Sequence, residues 1–263
     1  MASRAAGVVR TQRERSAALR YGTPVHRLVL LRHGQSTFNL RNVFTGWQEC
    51  DLSPSGVEEA MEGGRRLAGT GIEVDVVHTS VQNRAIRTAN LALAEMDRSW
   101  VPVRRHWRLN ERHYGALETH DKAETAAVHG ADQVRVWRRS YDVPPPPIAP
   151  DDPRHPRHLA RYARLPVDVL PTGECLRDVV VRMLPYWFDA IAPDLTGGAT
   201  VLVAAHGNSL RALVKHLLGI SDHDIPELEI PTGVPWVFDL DDRLAPVSER
   251  LLGDQAENTA SSF

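Results

Sequence analysis

Two histidines stand at positions suited to phosphoryl transfer. His33 follows the apolar run Leu28-Val29-Leu30-Leu31 in the triplet Arg32-His33-Gly34, and His206 follows Val201–Ala205 in His206-Gly207-Asn208. A neutral imidazole attacks phosphorus well and leaves readily from a phosphohistidine, which divides one difficult transfer into two easier ones. Arginines and a helix N-terminus stabilise the equatorial oxygens of a moving phosphoryl group. A carboxyl group carries the proton of the accepting or leaving hydroxyl. Arg32, Arg84 and Glu111 supply those types. The nucleotide signature Gly-x-x-x-x-Gly-Lys-Ser/Thr and the metal spacing His-Glu-x-x-His are both absent. His155 and His158 are three apart in a loop rich in Pro and Arg and read as surface residues, so no metal is expected.

These residues need strand ends to hold them. Short apolar runs at 28–31, 74–78, 101–103 and 200–205 read as strands, with a last strand or strand pair over 232–240. Between them lie helical patterns: Ser53 as N-cap with Pro54 at the first position, running to about Ala68; Thr79-Ser80 capping a helix towards Met96; one stretch from Lys122 to Trp137; one from Leu176 to Ile191; and one from His206 to His216 or Leu217, closed at Gly219. Pro144 to Pro147 is a four-proline stop before a loop running to Pro166. Alternating strands and helices predict a three-layer α/β fold, a mostly parallel sheet with helices on both faces, whose ligands collect at the carboxyl ends of the strands. The domain is expected over 26–241, between an Arg-rich flexible extension (1–25) and a polar mobile tail (242–263).

Composition narrows the partners. Lys and Arg total 31 against 33 Asp and Glu, a net charge of −2, which excludes a global basic field for nucleic acid. Only Lys122 and Lys215 are lysines; the other 29 bases are arginines, as GC-rich coding favours. Two cysteines far apart, with no apolar run near the roughly 20 residues of a membrane span, point to a cytoplasmic protein with no membrane partner.

Several stretches together carry a family resemblance. Leu28-Val-Leu-Leu-Arg-His-Gly-Gln-Ser-Thr-Phe-Asn39 resembles the opening motif of the histidine phosphatase superfamily. Phe44-Thr-Gly-Trp47, Ser80-Val-Gln-Asn-Arg-Ala-Ile-Arg-Thr88, Trp107-Arg-Leu-Asn-Glu-Arg-His-Tyr-Gly-Ala-Leu117, Lys122-Ala-Glu-Thr125, Val136-Trp-Arg-Arg-Ser-Tyr-Asp142, Ala204-Ala-His-Gly-Asn-Ser-Leu-Arg-Ala-Leu-Val-Lys215 and Ile230-Pro-Thr-Gly-Val-Pro235 are similar to one branch, the 2,3-bisphosphoglycerate-dependent phosphoglycerate mutases. The resemblance implies interconversion of 2- and 3-phosphoglycerate in glycolysis and gluconeogenesis, primed by 2,3-bisphosphoglycerate, in a homodimer or homotetramer. It makes His33 the nucleophile, His206 a donor to the phosphoryl group and Glu111 the general acid and base. Arg32, Arg84 and Asn39 would hold the transferring group, and Ser36 would be among the residues that bind the substrate. Thr45, Gly46, Arg112, Tyr114, Lys122, Arg138, Arg139, Gly207 and Asn208 would bind the rest of the substrate.

The chain departs from that pattern at Gln35, Phe38 and most at Glu118-Thr119-His120, where many mutases read Gln-Gly. Glu118 is expected to add negative charge near a polyanion site and so to weaken phosphoglycerate affinity or shift preference among related substrates. A phosphatase on a small phosphorylated metabolite, and a non-catalytic protein whose Arg-rich arm binds RNA or a partner, are the competing readings; intact His33, Glu111 and His206 oppose the second.

Overall fold

The run at 28–31 forms the centre of the molecule. In the computed structural model, which describes residues 25–253, β1 (His26–Arg32) lies between β4 (Val201–Ala205) and β5 (Pro235–Leu240) in a six-stranded sheet of order β3-β2-β4-β1-β5-β6. β2 (Val76–Thr79), β3 (Val103–Arg105), β4 and β1 run parallel; β5 and β6 (Pro246–Leu251) add antiparallel. Leu30 is level with Val203 and Arg32 with Ala205, so the two histidine motifs leave the sheet side by side.

Strand period 2 divides the core in two. Leu28, Leu30, Val201 and Val203 face one helical layer, while Val29, Leu31, Leu202 and Ala204 face the other. All eight are essentially inaccessible, which explains runs that are apolar throughout rather than alternating. Each buried leucine or valine contributes roughly 1.5–3 kcal/mol. α2 (Pro54–Gly69) and α3 (Asn83–Glu95) supply Leu67, Ala89, Ala92 and Leu93 to one layer. α6 (Leu176–Tyr186) and α8 (Gly207–Leu218) supply Val179, Met183, Leu210 and Leu213 to the other. The remaining helices are α1 (Thr37–Leu40), α4 (Lys122–His129), α5 (Ala131–Arg139) and α7 (Ala192–Thr196).

Ser53 caps α2 by accepting from the Gly56 amide at 3.0 Å, with Pro54 in its first turn, as its sequence predicts. Other boundaries move for identifiable reasons. The helical stretch at 122–137 is two helices, because Gly130 takes a φ of 87° between them. The helix from 176 carries Pro185, which cannot donate a backbone hydrogen bond, and passes through a π turn over Trp187–Ile191 before α7. β3 starts at Val103, two residues later than its apolar pattern begins; Pro102 contributes only its carbonyl, to the Val77 amide at 2.9 Å.

The tail expected from 242 is corrected over Pro246–Leu251, which is edge strand β6. Its polar composition reflects an edge position with little to bury. The Asp241 carboxylate turns the chain into it by accepting from the amides of Arg243 and Ala245. Residues 1–24 and 254–263 lie outside the described residues, and with them nearly all of the Arg-rich extension. No helix among the described residues is long and apolar enough to cross a membrane.

Candidate active site

The carboxyl end of β1 delivers His33. Its amide donates to Ala205 at the end of β4 (2.9 Å), and Gly34 lies so close to α2 that a β-carbon there would meet the Gly56 carbonyl oxygen at 2.0 Å. The His33 Nδ1 lies 2.7 Å from its neighbour's carbonyl, Gly34 O. A carbonyl only accepts, so Nδ1 carries the proton and Nε2 keeps a free lone pair. Burial, helped by Arg84 and Arg32, holds the His33 pKa well below 6.5. The ring is therefore held neutral at physiological pH, with its Nε2 lone pair free.

His206 packs edge-on against it, with ring centroids 4.9 Å apart. Its Nε2 meets Ser80 Oγ at 2.8 Å, and its Nδ1 is buried without a partner. It too is held well below 6.5, by burial first and then by Arg84.

Glu111 faces this pair from the loop after β3. Its Oε1 accepts from its neighbour's amide, Arg112 N (2.7 Å), and from Asn208 N in the first turn of α8 (3.1 Å). That leaves Oε2 for a proton, 3.8 Å from where a β-carbon on Gly207 would stand. The backbone carrying Glu111 is gripped from three sides. Gln82 accepts from its amide (2.8 Å) and donates to Gly46 O (2.8 Å). Trp47 Nε1 donates to its carbonyl (2.7 Å). Arg182 donates to the carbonyls of Arg108 and Asn110 while paired with buried Glu174 at 2.6 Å.

Glu118 organises the opposite wall. It is fully buried and accepts from Trp47 N (2.8 Å), Gln48 Nε2 (2.8 Å) and Tyr114 N (3.2 Å). Gly46, at a φ of 54°, sits so close that a β-carbon would meet Glu118 Oε1 at 1.8 Å. Glu118 thus supports the Thr45-Gly46 turn from behind and is not part of the cavity wall. Burial pushes its pKa up to about 7 despite those donors.

Between the walls is a cavity of about 190 Å³. Arg32, His33, Asn39, Thr45, Gly46, Arg84, Glu111, Tyr114, Lys122, Arg138, Arg139, Gly207 and Asn208 line it, with Val43, Arg211, Glu229 and Ile230. Arg84 is almost wholly buried and is aimed by the carbonyls of Gly46 (2.9 Å) and Gln48 (3.2 Å). Burial lowers the pKa of Lys122, whose ammonium stands over the Phe44 ring. Beside the cavity, Arg32 Nε and Arg211 Nε are buried without partners. Unsatisfied donors with this many cations suit a small polyanion.

Three sequence-predicted residues stand behind the lining. His206 backs His33. Ser36 caps α1, accepting from Asn39 N (3.0 Å) and donating to Asn39 Oδ1 (2.9 Å). Arg112 lies over the Tyr114 ring, 4.7 Å from its centroid, and donates to Arg138 O at 2.6 Å.

The model of the histidine phosphatase superfamily (branch 1) matches residues 28–154 and 148–245. The chain belongs to the histidine phosphatase superfamily. Within the superfamily it is 63% identical over 231 residues to a 2,3-bisphosphoglycerate-dependent phosphoglycerate mutase of Nitratidesulfovibrio vulgaris (strain Hildenborough), covering 88% of this chain and 92% of that one. It is 60% identical to the enzyme so named from Streptomyces griseus (84% and 88% covered) and 61% identical to that of Thermobifida fusca (83% and 89%). Among solved structures, a mycobacterial glucosyl-3-phosphoglycerate phosphatase complexed with VO3 aligns with a TM-score of 0.63 at 23% identity, over 86% of this chain and 97% of that one. A mycobacterial hydrolase aligns at 0.64 and 23%, over 86% and 96%. At that identity the likeness is one of fold.

Several residues that shape this histidine phosphatase site lie outside the set expected from the sequence. Gln82, Glu174 and Arg182 act on backbone of the loop that carries Glu111, which no spacing announces. Arg211 lies one helical turn beyond Asn208 in α8 and donates to its Oδ1 (3.1 Å); the i, i+3 spacing was the available signal. Glu229 is an acid in an otherwise cationic rim.

Proposed function

We propose that this histidine phosphatase is a phosphoglycerate mutase of glycolysis and gluconeogenesis, interconverting 2- and 3-phosphoglycerate through a phosphohistidine primed by 2,3-bisphosphoglycerate. The observation that carries the reading is the His33 ring itself: neutral, its proton committed to Gly34 O, at a cavity holding one positioned carboxyl and a surplus of cations. The identity of the relatives supports the choice of substrate.

In the forward transfer the Nε2 lone pair of His33 forms the P–N bond as the P–O ester bond breaks. Arg32 and Arg84, with the amide end of α8, take the charge on the equatorial oxygens. Glu111 gives its Oε2 proton to the departing alkoxide. In the complementary transfer a monophosphoglycerate presents its one free hydroxyl to phospho-His33, Glu111 takes that proton, and a new P–O bond forms as the P–N bond breaks. The resulting 2,3-bisphosphoglycerate reorients before its other phosphoryl group passes to His33. Arg138, Arg139 and Lys122 hold the end that does not react. The donors left bare beside the cavity fit such an anion, and a carboxylate with its phosphate is costly to bury without them. A cytoplasmic setting belongs to this reading, supported by Cys50 and Cys175 standing free. So does assembly as a homodimer or homotetramer, which sedimentation reads directly.

The test is radiolabelled 2,3-bisphosphoglycerate. The wild type is expected to take up an acid-labile label and His33→Ala to take up none, with mutase turnover dependent on the primer. An unlabelled wild type refutes the reading. Primer-independent phosphate release as the main activity would make the chain a phosphatase instead.

A further inference from the structure

Among the described residues Glu229 is the one acid other than Glu111 on the cavity lining, and it is exposed where His33 is buried. Its carboxylate is paired with the Arg139 guanidinium. Arg139 is a cation on which a distal anionic group of a ligand would settle. A second pair, Arg135 with Glu227 at 3.9 Å, spans the same gap farther out, between α5 and the 225–230 segment. Arg139 also donates weakly to Pro226 O at 3.4 Å. The rim is thus joined by charge and not by apolar packing, and Arg139 is already engaged before a ligand arrives.

We propose that Glu229 is a specificity-determining residue: a built-in carboxylate that competes with the ligand's distal anion for Arg139 and so discriminates among phosphate esters by their charge away from His33. Both partners are partly exposed, 68% for Glu229 and 35% for Arg139. The pair itself is therefore weak. The discrimination comes from repulsion between a fixed negative charge and each further ligand charge within about a Debye length. It should grow in the order glycerol 3-phosphate, 3-phosphoglycerate, 2,3-bisphosphoglycerate. A ligand of low charge gains nothing from removing Glu229; a polyanion gains at each charge.

The inference rests on the phosphoglycerate reading for its choice of ligands, and its assay is independent of mutase turnover. Inhibition constants of the three esters are measured against hydrolysis of p-nitrophenyl phosphate at about 0.15 M ionic strength, where the Debye length is about 8 Å. Glu229→Gln is expected to tighten 3-phosphoglycerate about threefold and 2,3-bisphosphoglycerate up to about tenfold, and to move glycerol 3-phosphate by less than about twofold. The gains should shrink in high salt. Glu227→Gln, which removes the same charge outside the cavity, is expected to leave all three within about twofold. Equal shifts for all esters, or none, overturn the inference. Charge-graded shifts in an enzyme without mutase turnover would uphold it and refute the phosphoglycerate reading alone.

Discussion

Glu118→Gln isolates the energetic consequence of placing a carboxylate behind the active-site wall. Glu118 is wholly buried, and burial raises its pKa from 4.5 to about 7. At about 1.4 kcal/mol per pH unit, that shift corresponds to about 3 kcal/mol between its charged and neutral forms. The groups that face it are three donors, Trp47 N, Gln48 Nε2 and Tyr114 N, with His113 Nδ1 at 3.5 Å and Arg154 on its carbonyl at 2.6 Å. His113 cannot balance the charge: burial pushes its pKa down to about 3, and its Nδ1 accepts from Gly115 N. A carboxyl whose folded pKa is raised contributes stability below its unfolded pKa and loses it as pH rises through the folded value. The window is therefore from about 4.5 to about 7. Gln has no such dependence. The unfolding free energy of the variant, less that of the wild type, is expected to rise by about 2–3 kcal/mol between about pH 5 and pH 8, measured by urea unfolding at each pH. In thermal unfolding this is a difference in Tm that grows by roughly 5–10 °C. Other carboxylates titrate alike in both proteins and cancel. Parallel pH profiles, within about 0.5 kcal/mol, would refute the reasoning.

Three further outcomes follow from the site. Glu111→Gln removes the group that carries the hydroxyl proton while keeping an acceptor for Asn208 N, and kcat should fall by about 10²–10⁴-fold with KM changed far less; a loss under tenfold counts against Glu111 as acid and base. Gly46→Ala places a methyl group on the Glu118 carboxylate at a left-handed φ, and is expected to cost about 1–3 kcal/mol in unfolding and to raise KM; unchanged unfolding would show that the Gly46 turn is not held against Glu118. His33 and His206 have folded pKa values well below 6.5, so neither ring should show its protonation midpoint near 6.5 in imidazole NMR titration. With the unfolded state binding more protons, they make stability fall as pH drops below about 6.5. A midpoint near 6.5 for His33 would remove the basis for a neutral nucleophile.

The amino-acid sequence by itself determined the sheet and its histidines. The strands at 28–31 and 201–205 are legible because a strand buried on both faces must be apolar at every position, and Arg-His-Gly and His-Gly-Asn are legible because polar residues cannot continue such a run. Most cavity-lining residues were legible too, through family motifs that keep residue order. Tertiary structure alone decided what those residues rest on. Glu118, read from sequence as a charge near the ligand, proved to be a buried acceptor under Gly46, since its orientation depends on amides at 47 and 114. Gln82 and Arg182 were silent because they bond to carbonyls and amides, groups that every residue carries and no motif marks. Strand β6 was hidden by its polar edge. Side-chain pattern encodes burial, which is a local property of each residue; backbone contacts between distant segments are set only once the chain has closed on itself.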